Sequence, residues 1–252
     1  MDNLDPNVTP FADVTTGIVV WYKFEDTVTT DSSGNGYTGT FGGSPIPTLG
    51  PGKIGQGAVF NGPTGQIAVP IAAMNIPTAT SSFSVMAWLK STATDTPIFG
   101  GRNSGNGNPI MDIGIGSNGV TNVGTGAATF IIRDDSGLGL TYISDTKSIN
   151  NGVFRHVAGV FDGSGGINSQ TMTLYVDGVS VASATAPLQT SVTVDAPGCN
   201  VGREHLQNWG TVGTIDDFRN FGRALSSSEI ASIFAAATPP VGFAKQSMFL
   251  VL

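Results

Sequence analysis

Short β-branched and aromatic runs, each closed by glycine or another turn former, succeed one another along most of this chain. Gly17–Phe24 reads GIVVWYKF, and Gln56–Asn61 and Gln66–Pro70 are short apolar runs separated by a glycine turn. Ser82–Lys90 sets Phe83, Val85, Ala87 and Leu89 on one face of a strand and Met86 and Trp88 on the other, which predicts cover on both faces. Strand patterns return at Pro109–Ile115, Ala128–Arg133 and Leu138–Ser144. The clearest local signal is a hairpin. Met172, Leu174 and Val176 alternate with Thr171, Thr173 and Tyr175, Asp177-Gly178 supplies the two left-handed turn positions, and Val179 and Val181 start the return strand.

One helix is predicted near the end. Ser226 caps it and Glu229 completes a capping box, with Leu225 and Ile230 spaced as a hydrophobic staple. Ile230, Ile233 and Phe234 form its apolar stripe, Thr238-Pro239-Pro240 stops it, and so short a helix is expected over a sandwich edge. Many strands with one short helix predict an all-β, two-sheet antiparallel β-sandwich. Residues 1–16 read as an N-terminal arm, 17–238 as the folded domain and 239–252 as an apolar tail. Residues 100–127 read as long loops around one strand, an insertion at the rim.

Composition limits the partners. The formal net charge is −7, from 11 basic and 18 acidic residues, and no basic stripe suits nucleic acid or an anionic membrane. No run reaches the ~18 apolar residues of a membrane helix, and the first residues carry no secretory-signal pattern. Cys199 is the one cysteine and is expected as a small buried hydrophobe.

Four segments in order resemble the laminin-G-like, concanavalin-type jelly-roll family. They are Trp21–Asp26 with Asp31–Gly36 and Thr38–Thr40; Gly57–Asn61 with Ile67–Val69; Phe154–Ala158 with Phe161–Gly163 and Leu174–Gly178; and Gly213–Arg219 with Gly222–Ser226. The resemblance spans about Gly17 to Ala237. Phe154-Arg155 and Asn220 depart from its pattern, and 100–127 has no counterpart. The resemblance implies a jelly roll that binds sugar, glycan or protein, often with calcium.

Three kinds of site follow. Calcium takes six to eight oxygens. Asp31 and Asn35 can curl oxygens around a cation, and strand alternation puts Asp216 beside Phe218 on the apolar side, where a carboxylate needs a partner or a metal. Family members place such an acid near the first loop; Glu25 is a lesser candidate. Equally, Asp31 and Asp216 can be turn and ladder acceptors. Asp134-Asp135-Ser136-Gly137 reads as a hairpin turn. Trp209, with His205 and Arg203 nearby, is the candidate sugar platform, or else it covers a sheet edge. The chain holds three glutamates, Glu25, Glu204 and Glu229, and lacks the glutamate–aspartate–glutamate cluster of jelly-roll glucanases, so catalysis is not expected. His156 is expected to pack structurally.

Two functional classes lead. One is a phage-type virion surface, decoration or attachment protein, anchored to other chains of an assembly through Phe243, Met248, Phe249, Leu250, Val251 and Leu252. The other is a secreted or cell-surface carbohydrate-binding or adhesion module. A polysaccharide-active enzyme ranks third.

Overall fold

The computed structural model describes residues 13–26, 29–70, 73, 80–102, 109–116, 125–134, 140–186, 188, 199–204 and 209–237. Fifteen strands and one helix fall within them. The strands are β1 Ile18–Tyr22, β2 Thr40–Gly42, β3 Thr48–Pro51, β4 Gln56–Asn61, β5 Gln66–Ala68, β6 Phe83–Lys90, β7 Thr96–Arg102, β8 Pro109–Ile115, β9 Ala127–Arg133, β10 Leu140–Ser148, β11 Arg155–Asp162, β12 Gln170–Val176, β13 Val179–Ala186, β14 Asn200–Val201 and β15 Val212–Phe221; α1 is Ser227–Ala236. The front sheet runs β13-β12-β11-β6-β15-β4-β3, with β1 also on β15; the back sheet runs β10-β9-β8-β7-β14-β5-β2. Every pairing is antiparallel. This is the two-sheet sandwich that the strand pattern predicts.

The main core lies between the sheets. Phe83, Val85, Ala87 and Leu89 of β6 meet Ile113 of β8 and Phe130 and Ile132 of β9 there. Cys199 is buried in that core, and burial together with the Asp112 charge pushes its thiol far up. A second cluster on the outer face of the front sheet gathers Met86, Ala158, Phe221, Leu225, Ile230 and Ile233. It explains the two-sided pattern of β6. Trp88 stacks on Phe234 of α1 at 5.5 Å, and His156 lies 5.3 Å from the Trp88 ring.

The hairpin and the helix start form as the sequence predicts. Asp177 and Gly178 both take positive φ, 50° and 78°, and the Ser226–Glu229 capping box is complete. Two expectations change. The helix covers the outer face of the front sheet, because its apolar stripe needs the Met86–Phe221 surface that an edge would not supply. Pro109–Ile115 is an interior strand of the back sheet, with β7 reaching Arg102 beside it; Pro97, Gly100 and Gly101 hide that strand from a propensity reading. Of the residues expected as the arm, Asp13 pairs with Arg219 and Val14 packs on the second cluster. His205, Asp135 and the tail from Phe243 to Leu252 lie outside the described residues.

Candidate functional site

Three places on the molecule hold the residues that the sequence singles out. The first is the outer face of the back sheet. Alternation along β8, β9 and β14 turns Asp112, Thr129 and Asn200 away from the core, since Ile113, Phe130 and Val201 point into it. All three are nonetheless buried. Cross-strand pairing sets Asn200, Gly100, Asp112 and Ile131 in one row. Beyond Val201 the chain turns out in a narrow excursion. Thr211 N donates to Gly202 O at 2.7 Å, and Glu204 N donates to Trp209 O at 3.1 Å. Gly202 is required at its base: its φ is +80°, and an added Cβ would meet the Phe60 ring at 2.0 Å.

This excursion brings the half-buried Trp209 over the sheet, at a small pocket shared with Asp95, Asp112 and Thr129. The pocket's volume of about 10 Å³ is that of one water, so a larger ligand has to lie across the indole rather than enter beneath it. Arg203 is turned aside: its Nη1 donates to Gln66 Oε1 on β5 at 2.8 Å, and it does not line the Trp209 pocket.

The expected calcium residues separate into two groups. Asp31 organises its own loop. Its Oδ1 accepts from the amides of Trp21 (3.0 Å) and Ser33 (2.9 Å), and its Oδ2 accepts from Ser33 Oγ (2.8 Å) and Tyr37 N (3.0 Å). Desolvation alone would raise this carboxyl; the Ser33, Trp21 and Tyr37 hydrogen bonds hold it below the usual carboxylate range. Asn35 uses its Nδ2 to donate to the carbonyls of Ile18 and Val19. Four donors on Asp31 leave little for a cation, so this loop fits calcium poorly.

Asp216 sits elsewhere, for a reason that alternation alone misses. β15 pairs Asp216 with Trp88 but Arg219 with Met86, so one extra residue bulges between them, and Asp217 takes φ +51°. The bulge sends Phe218 into the core and Asp216 to the outer face with Trp88, reversing the expectation that they share a side. There Asp216 Oδ2 accepts from the amides of Lys53 and Ile54, both at 2.8 Å, while Glu25 Oε2 accepts from Gln56 N at 3.3 Å. Two carboxylates thus grip the β3–β4 turn. Asp216 is fully buried, and its Oδ1 has no hydrogen-bond partner among the described residues. Burial, aided by the neighbouring Asp217 charge, pushes its carboxyl up to about 7. No group of three or more His, Cys, Asp or Glu stands ready to hold a metal among the described residues.

The sequence reading missed the network beside it. Arg219, nearly buried, pairs with Asp217 at 2.9 Å and with Asp13. Trp21 Nε1 donates to Asp217 Oδ1 at 2.5 Å, and the Arg219 guanidinium lies 4.2 Å from the Trp21 ring centroid, with Lys23 Nζ at 3.9 Å. Trp21, Lys23, Glu25, Asp216, Asp217 and the end of α1 enclose a pocket of about 200 Å³.

Residues 61–231 match the model of the concanavalin A-like lectin/glucanases superfamily, of laminin G type. The chain belongs to this superfamily. No curated protein sequence matches this laminin-G-like domain significantly. Among solved structures it is similar to the binding domain of Paraclostridial Mosquitocidal Protein 1, at TM-score 0.67 and 15% identity, over 88% of this chain and 52% of that one. Domain 4 of AbnA, a GH43 extracellular arabinanase from Geobacillus stearothermophilus solved with arabinotriose, aligns at TM-score 0.60 and 22% identity, over 86% and 97%. The ligand-binding domain of botulinum neurotoxin serotype D, solved with N-acetylneuraminic acid, aligns at TM-score 0.63 and 16% identity, over 90% and 52%. The chain spans about half the length of the toxin domains. At these identities the likeness shows the fold. No helix among the described residues is long and apolar enough to cross a membrane.

Proposed function

We propose that this chain is a non-catalytic carbohydrate-binding module whose glycan lies against Trp209 on the outer face of the back sheet. The carrying observation is the half-buried indole held over a polar strand surface that includes Asp112 and Thr129. An aromatic ring offers an apolar face to a sugar ring, and the half-buried Asp95 carboxylate beside it can meet the sugar's hydroxyls. Superfamily membership supports the reading, as do related folds solved with arabinotriose and N-acetylneuraminic acid. An extracellular or surface location suits it. On a glycan array, Trp209→Ala is expected to abolish the signal of the parent while the melting temperature stays within about 2 °C. Retained glycan binding in the variant, or a collapsed melt, overturns the assignment.

A second reading makes the module part of a larger shell, such as a virion surface. Its support is that Ile230 and Ile233 of α1 already cover the second cluster, so Phe243, Met248, Phe249, Leu250, Val251 and Leu252 are not needed for that cover. Left in water, such side chains are unfavourable at roughly 25 cal/mol per Å². Deleting 241–252 is expected to leave a folded monomer that no longer assembles, checked by light scattering. An intact chain that is already monomeric, or a truncated one that fails to fold, removes this reading.

A further inference from the structure

We propose that the pocket beside the β15 bulge is a second binding site, for an organic monocation: an alkylammonium or guanidinium group such as ends a lysine or arginine side chain. Its chemistry is what remains after internal pairing. Arg219 is consumed by Asp217 and Asp13, and Lys23 rests on the Trp21 ring. Among the described residues Asp216 and Glu25 then stand without a cationic partner, each using one oxygen on the amides of the β3–β4 turn. Asp216 Oδ1 lacks a donor among the described residues, although the residue is fully buried and lines the pocket. A buried acceptor left unmet is costly, and an N–H from a ligand removes that cost.

The third wall is independent of the carboxylates. Ala236 and Ala237, at the C-terminal end of α1, line the same pocket. That end carries the negative pole of the helix, and its last turn has no basic residue. About 200 Å³ admits a side-chain-sized group. A metal is the poorer occupant, since calcium takes six to eight oxygens and no three-ligand cluster exists among the described residues. The site is on the opposite sheet from Trp209, so it stands or falls apart from the glycan reading.

The experiment titrates the intact chain with n-butylammonium, methylguanidinium, n-butanol, calcium and an end-blocked Ala-Lys-Ala peptide. The Trp21 indole N–H resonance reports the pocket through its bond to Asp217. The two small cations are expected to shift it saturably and n-butanol is not. Glu25→Gln and Asp216→Asn are each expected to weaken cation binding about tenfold, a charge-assisted hydrogen bond's worth, with unchanged circular dichroism. Glu25 is exposed, so its variant tests the site even if Asp216→Asn disturbs the turn. Binding is expected to tighten from pH 6 to 8 as Asp216 loses its proton; Asp13, Lys23, Glu25, Lys53, Asp217 and Arg219 are the charged groups around it. Tighter binding of the peptide than of butylammonium assigns a protein side chain as ligand, and equal binding a small amine. An unsaturable response, an equal response to n-butanol, unchanged affinity in Glu25→Gln, or displacement of butylammonium by calcium overturns the proposal.

Discussion

Asp217→Ala is expected to cost about 3–5 kcal/mol in urea denaturation at pH 7, because it strands a nearly buried guanidinium. Arg219 has a side-chain exposure of 3% and Asp217 of 4%, so solvent does little to screen the pair. Three of the guanidinium's hydrogen bonds go to Asp217, as does that of the Trp21 indole. Among the described residues Asp13 would remain as its one anionic partner, and it is partly exposed. The control is the double variant Asp217→Leu with Arg219→Met. Removing both charges together is expected to recover most of the loss, since an ion pair replaced by apolar groups is often near neutral. The left-handed φ at Asp217 adds a cost to leucine there that the recovery has to absorb. A loss under about 1 kcal/mol for Asp217→Ala would place the network in the class of surface pairs.

The second large effect is a pair of opposed pH dependences. Burial first, then the Arg219 charge, hold His156 down to about 3 in the folded chain, against ~6.5 unfolded. Between those values the unfolded chain binds the extra proton, so His156 destabilises the fold as pH falls through this window. Asp216 acts in the other direction. Raised to about 7 from an unfolded value near 3.9, it binds a proton in the folded chain first, so its contribution is fully present below pH ~4 and lost as pH rises through about 7. From pH 7 to 4 each term amounts to roughly 3 kcal/mol, and they oppose. Single variants should expose them. His156→Phe is expected to gain stability on acidification relative to the parent, and Asp216→Asn to lose it. Urea midpoints of the parent and both variants at pH 7 and 4 provide the check; parallel shifts in all three would show that neither group carries linkage.

Much of the sandwich was legible because its signals are local. Asp177-Gly178 takes the turn that its residue types demand, and Ser226 with Glu229 closes the cap across three residues. The two-sided apolar pattern of β6 announced a second layer, although not that α1 supplies it. Non-local features were not legible. One added residue at Asp217 inverts the facing of Asp216, and only the pairing with β6 reveals it. Asn220, in a normally aliphatic place, is used to donate to Ala73 O at 3.0 Å, and Arg155 pairs with Asp177 at 2.7 Å. Of the proposed sugar platform, Trp209 could be nominated from its loop, but Asp112 and Thr129 sit inside apolar strands and gave no sign of an outward face.

β15 lies between β6 on one flank and, on the other, β4 for its first half and β1 for its second. A ribosome delivers it after every strand it joins. Until Phe221 has emerged, β1, β4 and β6 each wait with an open flank, and β1 waits for a partner about two hundred residues downstream. Such wide separation in sequence slows folding, and waiting edges invite pairing with other chains. Nascent chains released before β15 would therefore be prone to aggregation and proteolysis, whereas those extending past it can close the front sheet in a single late step.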